Sequence, residues 1–515
     1  MVDLADTPVI IGVGQSGDRI DAVGYRGWSA ADLAAEAART ALTDAQVGPE
    51  LATRIDAIAT TRTFEDSYPQ PAPFGKSDNF PRSVAARLGI TPHTAIWSRG
   101  GGQSPQDLVN EFSERVAAGE FEVVLLCGGE AISTTRHATR TGKSLNFAES
   151  PGGSVQDRGA GFETFHEKLA VRHGVVSATI GYALAENARR ARLGTNRAEY
   201  AADMGRLFAP FAAMASTNPH AAWDVPAYTA AELVASTPSN RWVADPYPIR
   251  LVARDQVNLG AAVLITSERV ARQLGVDPAR MVYLHGYAQA TEKLLLSRPD
   301  MGASPAAQAV SRAALERAAI TVDDLAAFDF YSCFPIAVAN VAIDAFGIDR
   351  DDARGPTVTG GLPYFGGPGN NYSMHAIAEM VATLRAKPGR SGFVGANGGY
   401  LSKYSAGIYS TTPRPWRDWS SEALQCDLDA VDGIDPLDIF SGEGMVETYT
   451  VSHRRSESGD APDYAIVIGR TAEGNRFIAR SAAGETTAAV AHAQDILGRP
   501  VTVSSMDGIN IFRFT

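Results

Sequence analysis

Apolar residues along the chain fall into short continuous runs that alternate with longer amphipathic stretches. The run PVIIGVG (Pro8 to Gly14) predicts a strand buried on both faces. SAADLAAEAARTALTDA (Ser29 to Ala45) has helical periodicity, and IDAIATTRTF (Ile55 to Phe64) is strand-like. EVVLLCGGEA (Glu122 to Ala131) and VNLGAAVLIT (Val257 to Thr266) predict two further central strands. This alternation is typical of a layered α/β core.

The second part of the chain repeats this order. MVYLHGYAQA (Met281 to Ala290) predicts a strand, and the segment from Ser304 to Phe334 contains a capped Ala-rich helix, an acidic turn and a strand, as in Ser29 to Phe64. GFVGANGGYLSKYSAGIYS (Gly392 to Ser410) ends this half. The repetition indicates an internal duplication, although Ala-rich helices could also resemble each other by chance.

Two segments depart from the alternation. Residues 132–247 form polar loops and Ala-rich helices, and TTPRPWRDWSS (Thr411 to Ser421) is a Pro-rich linker. Beyond the linker, five short strands and a helix near Thr486 to Leu497 predict a small OB-like β-barrel, with a plain hairpin extension as the alternative. We therefore expect domains at 1–275 (with a loop region at 132–247), 276–412 and 413–515.

The stretch SRGGGQSPQDL marks the start of a helix. Ser104 is the predicted N-cap and Pro105 the first helical residue, and apolar residues from Leu108 onward recur on one helical face. Bare glycine backbone at a helix N-terminus suits an anion or a low-pKa nucleophile. The stretch has no cysteine, however, and the Ser104 hydroxyl is expected to serve the cap.

Composition and charge narrow the function classes. The formal net charge of −12 disfavours nucleic-acid binding. The three cysteines are far apart, which argues against a disulfide framework and favours a reducing cytoplasm. The stretch MVDLADTPVIIGVG has no basic segment and no long apolar run, so we expect no signal peptide and no membrane span.

Taken in order, these motifs resemble the thiolase superfamily, most closely the sterol-carrier-protein-type thiolases and the related acetyl-CoA acetyltransferase-like proteins. The resemblance rests on SRGGGQSPQDL, EVVLLCGGEA, VNLGAAVLIT, FDFYSCF, GGLPYFGGPGNNYSMHAIAEMVATLR and ANGGYLSK. It implies a duplicated α/β/α/β/α core, a loop domain that binds coenzyme A or acyl-CoA, and an appended OB-like module. It also implies a homodimer, with a monomer left open, and a metabolic or OB-type partner protein.

The four chemical positions of that family have all changed here. The nucleophilic cysteine falls at Gly101, Gly102 or Gln103, and the histidine of a GHP motif is Gly367. Tyr331 stands where the oxyanion His or Asn would be, and Ala396 replaces the second cysteine. Losing a covalent nucleophile costs about 10^6-fold in a comparable enzyme, so we expect no thiolase activity.

The first functional hypothesis is that the protein binds coenzyme A or an acyl-CoA without catalysing the thiolase reaction. Coenzyme A or an acyl-CoA would be a ligand rather than a permanently bound cofactor, in lipid or sterol metabolism. The expected binding residues are Gly101, Gly102, Gln103, Gly366, Gly367, Asn397 and Gly398. Basic residues of the loop region could meet phosphates: Arg136, Arg140, Lys143, Arg158, Lys168 and Arg172.

Two alternatives remain open. Tyr331 and Tyr364 could act as oxyanion donors or acid/base groups in a retro-aldol lyase or acyltransferase, as in thiolase-fold lyases that pair with OB modules, or both could be packing aromatics. Alternatively, the chain is a non-catalytic assembly partner. Cys333 and His375 are read first as core residues.

No metal site is predicted. His137, His166 and His173 in the loop region lack the spacing of metal ligands. The glycines of GGLPYFGGPGNN do not form a dinucleotide fingerprint either.

Overall fold

The computed structural model describes residues 4–67, 71–161, 167–456, 459–482 and 486–515. The strands are β1 (Pro8–Gly17), β2 (Ile55–Thr60), β3 (Thr94–Trp97), β4 (Val123–Ala131), β5 (Gln156–Asp157), β6 (Trp242–Ala244), β7 (Tyr247–Pro248), β8 (Asn258–Ser267), β9 (Val282–Thr291), β10 (Leu325–Asp329), β11 (Ser391–Gly398), β12 (Lys403–Ser410), β13 (Gly442–Ser456), β14 (Gly459–Arg470), β15 (Arg476–Arg480), β16 (Pro500–Met506) and β17 (Ile509–Phe514).

The helices are α1 (Ala30–Asp44), α2 (Glu50–Thr53), α3 (Phe64–Ser67), α4 (Phe80–Leu88), α5 (Ser104–Ala117), α6 (Ile132–Thr141), α7 (Lys168–Arg172), α8 (Ala178–Leu193), α9 (Arg197–Ala215), α10 (Ala230–Val234), α11 (Glu268–Gln273), α12 (Pro305–Ala318), α13 (Pro335–Ala342), α14 (Tyr372–Ala386), α15 (Glu422–Asp429) and α16 (Thr487–Ala493).

The main sheet confirms a duplicated core. Its order is β10-β11-β12-β9-β1-β8-β4-β2-β3-β5. In the first half, β1 and β8 pair antiparallel, as do β8 and β4, whereas β4 and β2 are parallel. The second half repeats this pattern with β9, β12, β11 and β10. The two halves meet through a short antiparallel pairing of β1 with β9.

Helices complete the layers on both sides of the strands. Helix α5 and helix α14 contact strands of both halves and so form the central layer, whereas α1 packs on β1, β8 and β4 and α12 on β9 and β12. Helix α1 begins where predicted, because Ser29 and Asp32 form a reciprocal capping box. It lies very close to β1, since a Cβ at Gly14 would come within 2.1 Å of the Ala37 carbonyl oxygen.

The C-terminal segment is the expected OB-like barrel. Strands β13, β14, β15, β17 and β16 pair in that order, and β16 returns to β13, which closes the barrel. Helix α16 lies between the third and fourth strands, and the barrel has its own apolar core around Tyr449, Val467 and Phe477.

The barrel is packed against the layered core. Ser452 in β13 pairs with Ala244 in β6, so the barrel sheet extends into the loop region. The fully buried Arg476 donates to the Leu296 carbonyl oxygen at 2.8 Å. The linker also contacts the core, since Trp416 stacks on Tyr287 with ring centroids 5.4 Å apart. Among the described residues, no helix is long and apolar enough to cross a bilayer.

Candidate functional site

The glycine loop before α5 differs from its prediction by one residue. Gln103 is the N-cap and makes no side-chain cap bond, Ser104 is the first helical residue and Pro105 the second. The Ser104 hydroxyl instead donates to the Arg99 carbonyl oxygen at 2.6 Å. The sequence-based assignment of Ser104 as the cap was therefore wrong, because the strong cap preference of serine is outweighed here by a bond within the loop.

Gly102 and Tyr331 occupy complementary space. A Cβ placed on Gly102 would lie 2.1 Å from the Tyr331 hydroxyl oxygen and 2.5 Å from the Asn397 carbonyl oxygen. Both distances are far below van der Waals contact. The phenol of Tyr331 therefore stands where a side chain at position 102 would begin.

A cavity of about 390 Å³ opens beside this pair and is called the central cavity below. The N-terminal end of α8, at Ser177 and Ala178, forms part of its rim. Its polar lining includes Tyr182, Tyr331, Cys333, Asn397 and Asp255. Its glycines are Gly100, Gly101, Gly102, Gly161, Gly367, Gly369, Gly398 and Gly399.

Hydrogen bonds connect the polar groups of the cavity wall. The Asn397 amide donates to the Tyr182 hydroxyl at 2.6 Å and lies 3.7 Å from the Cys333 sulfur. Tyr182 in turn donates to the Gly399 carbonyl oxygen at 2.8 Å. Asn397 Oδ1 is buried and has no hydrogen-bond partner among the described residues.

These groups are protonated at neutral pH. Burial raises the pKa of Tyr331 and of Tyr182 well above the ordinary value for a phenol. Burial also raises the pKa of the Cys333 thiol to about 12. The cavity thus offers hydrogen-bond donors, and its thiol is not the thiolate that nucleophilic attack needs.

Other residues expected at the site lie in different places. Gly366 has φ +122, and a Cβ there would also come within 2.8 Å of Val257, so this position requires glycine for two reasons. Ala396 is buried in β11 and is not part of the described cavity lining. Tyr364 is also outside that lining, buried in the core with its ring edge against Phe208.

Gln103 lines a second cavity, of about 480 Å³. A Cβ on Gly101 or Gly398 would lie 2.1 Å or 2.0 Å from its side-chain oxygen, so both glycines make room for this amide. Asp107 and Lys403 line the same cavity, and burial raises the pKa of Asp107 to about 7.

Several of the basic residues expected to meet phosphates are already paired. Arg136 lies 3.1 Å from Asp255, and Arg158 lies 2.6 Å from Glu111. Arg172 pairs with Asp438. Because these three side chains already form ion pairs, a phosphate-binding surface in the loop region stays a prediction.

Sequence reasoning missed Tyr182 and Asp255. Tyr182 lies within an Ala-rich helix that carries no motif, and Asp255 precedes β8 in a loop, so no local pattern marks either residue. Only their tertiary placement in the cavity lining identifies them. Of the loop-region histidines, His173 is buried between the Leu169 carbonyl oxygen and the backbone N–H of Asn510, which donates to its Nε2. His137 packs against Tyr25, and His166 lies outside the described residues.

Comparison with known proteins places this geometry in a family. Residues 423–508 match the family described as the thiolase-like protein type 1 additional C-terminal domain. The chain is similar to a monomeric SCP2-thiolase-like protein type 1 from Mycobacterium smegmatis, with 41% identity over 100% of both chains and a TM-score of 0.85. No curated protein matches the chain.

More distant solved structures share the fold. An Ltp2–ChsH2(DUF35) aldolase is 21% identical over 79% of this chain and 98% of its own, with a TM-score of 0.56. An acetyl-CoA acetyltransferase from Syntrophomonas wolfei is 15% identical over 79% of this chain and 99% of its own, with a TM-score of 0.55. The full-length similarity at 41% identity, together with the matching C-terminal domain, shows that the chain belongs to the SCP2-thiolase-like proteins of type 1.

Proposed function

We propose that this protein binds coenzyme A or an acyl-CoA in the central cavity and does not catalyse the thiolase reaction. The observation that carries the proposal is the Tyr331 phenol in the space of a side chain at Gly102. No residue from Gly101 to Gln103 carries a nucleophilic side chain, and at Gly102 the Tyr331 phenol leaves no space for one.

The remaining thiol does not replace that nucleophile. Cys333 lines the cavity, but its pKa of about 12 leaves almost no thiolate at neutral pH. Loss of the covalent step alone costs about 10^6-fold in a comparable enzyme. Acetoacetyl-CoA should therefore not be cleaved with coenzyme A at a rate within about 100-fold of a working thiolase.

Features of the cavity support binding of a thioester. Its volume of about 390 Å³ lies within the usual range for small-molecule sites. The Tyr331 hydroxyl can donate to a carbonyl oxygen, and the unpartnered Asn397 Oδ1 can accept from a ligand amide or hydroxyl. The end of α8 at the rim favours negative charge.

Isothermal titration of coenzyme A and acetoacetyl-CoA into the full-length protein tests this proposal. We expect a Kd between about 1 µM and 1 mM. Ala178→Trp places an indole at the exposed cavity rim and should abolish binding, whereas Ala191→Trp, on the exposed surface of the same helix, should not. Absence of binding by the wild type, or equal binding by both variants, would contradict the proposal.

A second candidate function is retro-aldol cleavage of a β-hydroxyacyl-CoA. Tyr331 and Tyr182 both line the cavity, and their hydroxyls favour this reaction, which needs hydrogen-bond donors and no covalent nucleophile. A base takes the β-hydroxyl proton, and the oxygen forms a C=O bond to Cβ, which leaves as an aldehyde or ketone. The electron pair of the broken Cα–Cβ bond forms an enolate at the thioester oxygen. The enolate is then protonated at Cα. The raised pKa of Tyr331 suits it to stabilise the enolate oxygen rather than to act as the base.

Asp255 is the base in this scheme. It is the one carboxylate among the described residues that line the cavity, and Arg136 lies beside it. The fold neighbour described as an Ltp2–ChsH2(DUF35) aldolase has a name consistent with this chemistry.

The lyase candidate is tested with a β-hydroxyacyl-CoA that carries a bulky sterol-derived side chain. If the wild type cleaves it, Tyr331→Phe should slow the reaction by about 10^2 to 10^3, the usual cost of one oxyanion donor. Tyr364→Phe is the control for Tyr331→Phe. Tyr364 lies outside the cavity lining, so its substitution should leave the rate unchanged. An active wild type matched by Tyr331→Phe would refute the role of this phenol.

The setting of this function is proposed from the same features. Binding of acyl-CoA fits lipid or sterol metabolism, and the free cysteines Cys127, Cys333 and Cys426 fit a reducing cytoplasm. A non-catalytic role beside an OB-type or other metabolic partner is the third alternative. Assays should therefore be run with and without candidate partner chains.

A further inference from the structure

Three side chains with metal-binding chemistry meet where the barrel packs on the loop region. Asp245 follows β6, His453 lies in β13 and His492 lies in α16. His453 Nε2 is 2.9 Å from Asp245 Oδ1, and His492 Nδ1 is 2.9 Å from Asp245 Oδ2. The three ligand atoms all lie within 4.8 Å of one another.

The surrounding residues hold these groups in place. The Trp242 ring stacks on His453 with centroids 6.1 Å apart and meets His492 edge-on at 5.7 Å. The Asp245 backbone N–H donates to the Val451 carbonyl oxygen at 3.0 Å, which fixes the aspartate to the barrel strand. Such a rigid arrangement limits the reorganisation that a bound ion would require.

The Asp245 carboxylate is buried, and its two oxygens lie within hydrogen-bond distance of the two histidine rings. Arg197 also donates to Asp245 Oδ2, at 3.1 Å. A ligating carboxylate commonly accepts such an outer hydrogen bond, and the Arg197 side chain is 30% exposed, so solvent screens part of its charge.

We propose that Asp245, His453 and His492 form a binding site for a divalent transition-metal ion of the Zn²⁺ class at the seam between loop region and barrel. Two imidazole nitrogens and one carboxylate oxygen are ligands that Zn²⁺ prefers. Tetrahedral ligand bonds of about 2.0 to 2.2 Å place neighbouring ligand atoms about 3.3 to 3.6 Å apart, so small side-chain adjustments accommodate the ion.

A fourth position would face water. The side chain of His492 is 29% exposed, whereas those of Asp245 and His453 are almost completely buried. The ion would therefore enter past His492 and link the loop region to two separate elements of the barrel. The sequence gave no indication of this cluster, because Asp245 lies 208 positions before His453.

Calorimetric titration of Zn²⁺ into tag-free, chelator-stripped, full-length protein tests the proposal. We expect one equivalent to bind and to raise the Tm. His492→Gln should weaken binding by about 100-fold or more, since loss of an outer partner alone costs about 10- to 100-fold. His220→Gln removes an exposed histidine outside the cluster and should bind like the wild type.

Titration with Co²⁺ reports directly on the ligands. A low-coordinate Co²⁺ site with histidine ligands should give visible absorption bands much stronger than those of the hydrated ion, and His492→Gln should remove them. His453→Gln gives the same readout at the second ring. Absence of Zn²⁺ binding up to about 1 mM, or unchanged binding in both His492→Gln and His453→Gln, would overturn the proposal. The three side chains would then only form hydrogen bonds between the loop region and the barrel.

Discussion

At the scale of single residues, the centre of the site is the complementary packing of Gly102 and Tyr331. The sequence alone predicts that residues 101 to 103 supply no covalent nucleophile, because glycine and glutamine side chains cannot attack a thioester. That the Tyr331 phenol fills the space beside Gly102 could not be predicted, since this contact joins distant segments and depends on tertiary packing.

This complementarity predicts the cost of adding one methyl group. Gly102→Ala should destabilise the protein by about 1 to 3 kcal/mol, because the new Cβ meets both the phenol and the Asn397 backbone oxygen. Gly24→Ala is the control, since no heavy atom lies within 4 Å of the position that its Cβ would take. Urea denaturation of both variants measures the difference, and equal stability would contradict the packing described here.

His375 illustrates a second residue-level effect. It is completely buried, its Nδ1 lies 2.7 Å from Gln15 Oε1, and burial lowers its pKa to about 3. The unfolded chain, with a histidine pKa of about 6.5, therefore binds more protons than the folded protein between these two values. The sequence-based choice of a core histidine over a cavity residue agrees with this burial.

Stability should accordingly fall as the pH drops below about 6.5, by about 1.4 kcal/mol per pH unit from this group. His375→Asn keeps a donor near Gln15 but does not titrate, so its Tm should decline less between pH 7 and pH 5. The exposed His93→Asn serves as control. Identical pH profiles for wild type and His375→Asn would show that this ring does not resist protonation.

At the scale of elements, the short strand β5 covers the edge of the main sheet in the first half of the core. Strand β5 pairs parallel with β3, and Asp157 of β5 forms an ion pair with the buried Arg62. An uncovered edge strand is a template for pairing with another chain. The sequence did not predict β5, because two residues of pairing leave no pattern.

We therefore expect a monomer, in which β5 protects β3. Light scattering should give a mass near 54.5 kDa. Asp157→Ala should loosen β5 and increase self-association, whereas Asp21→Ala removes an exposed partner of Arg19 and should not. A wild-type mass of twice this value would favour the homodimer implied by the family resemblance.

At the scale of the whole molecule, the alternation of strand and helix predicted the duplicated core, and the five short strands after the linker predicted the barrel. Apolar runs and their order are local properties, and both halves retained them. The docking of the barrel was not predicted, because it depends on buried groups such as Arg476 and on isoleucines shared with the main core: Ile466, Ile468 and Ile478.

This docking predicts that a cut in the linker will not separate the parts. Trypsin should cleave first after the exposed Arg417, and the two fragments should elute together under native conditions. Truncation after Ser441 should strongly lower the Tm, because it removes the shared isoleucines. Separate elution of the nicked fragments would show a tethered barrel instead.

The central claim is that the cavity beside Gly102 holds a thioester with Tyr331 in place of a nucleophile. The most direct measurement is a crystal structure of the full-length protein grown with acetoacetyl-CoA. We predict an intact thioester in the central cavity, its carbonyl oxygen within hydrogen-bond distance of the Tyr331 hydroxyl and no bond to Cys333. Ligand bound elsewhere, or an acyl group attached to Cys333, would contradict the account.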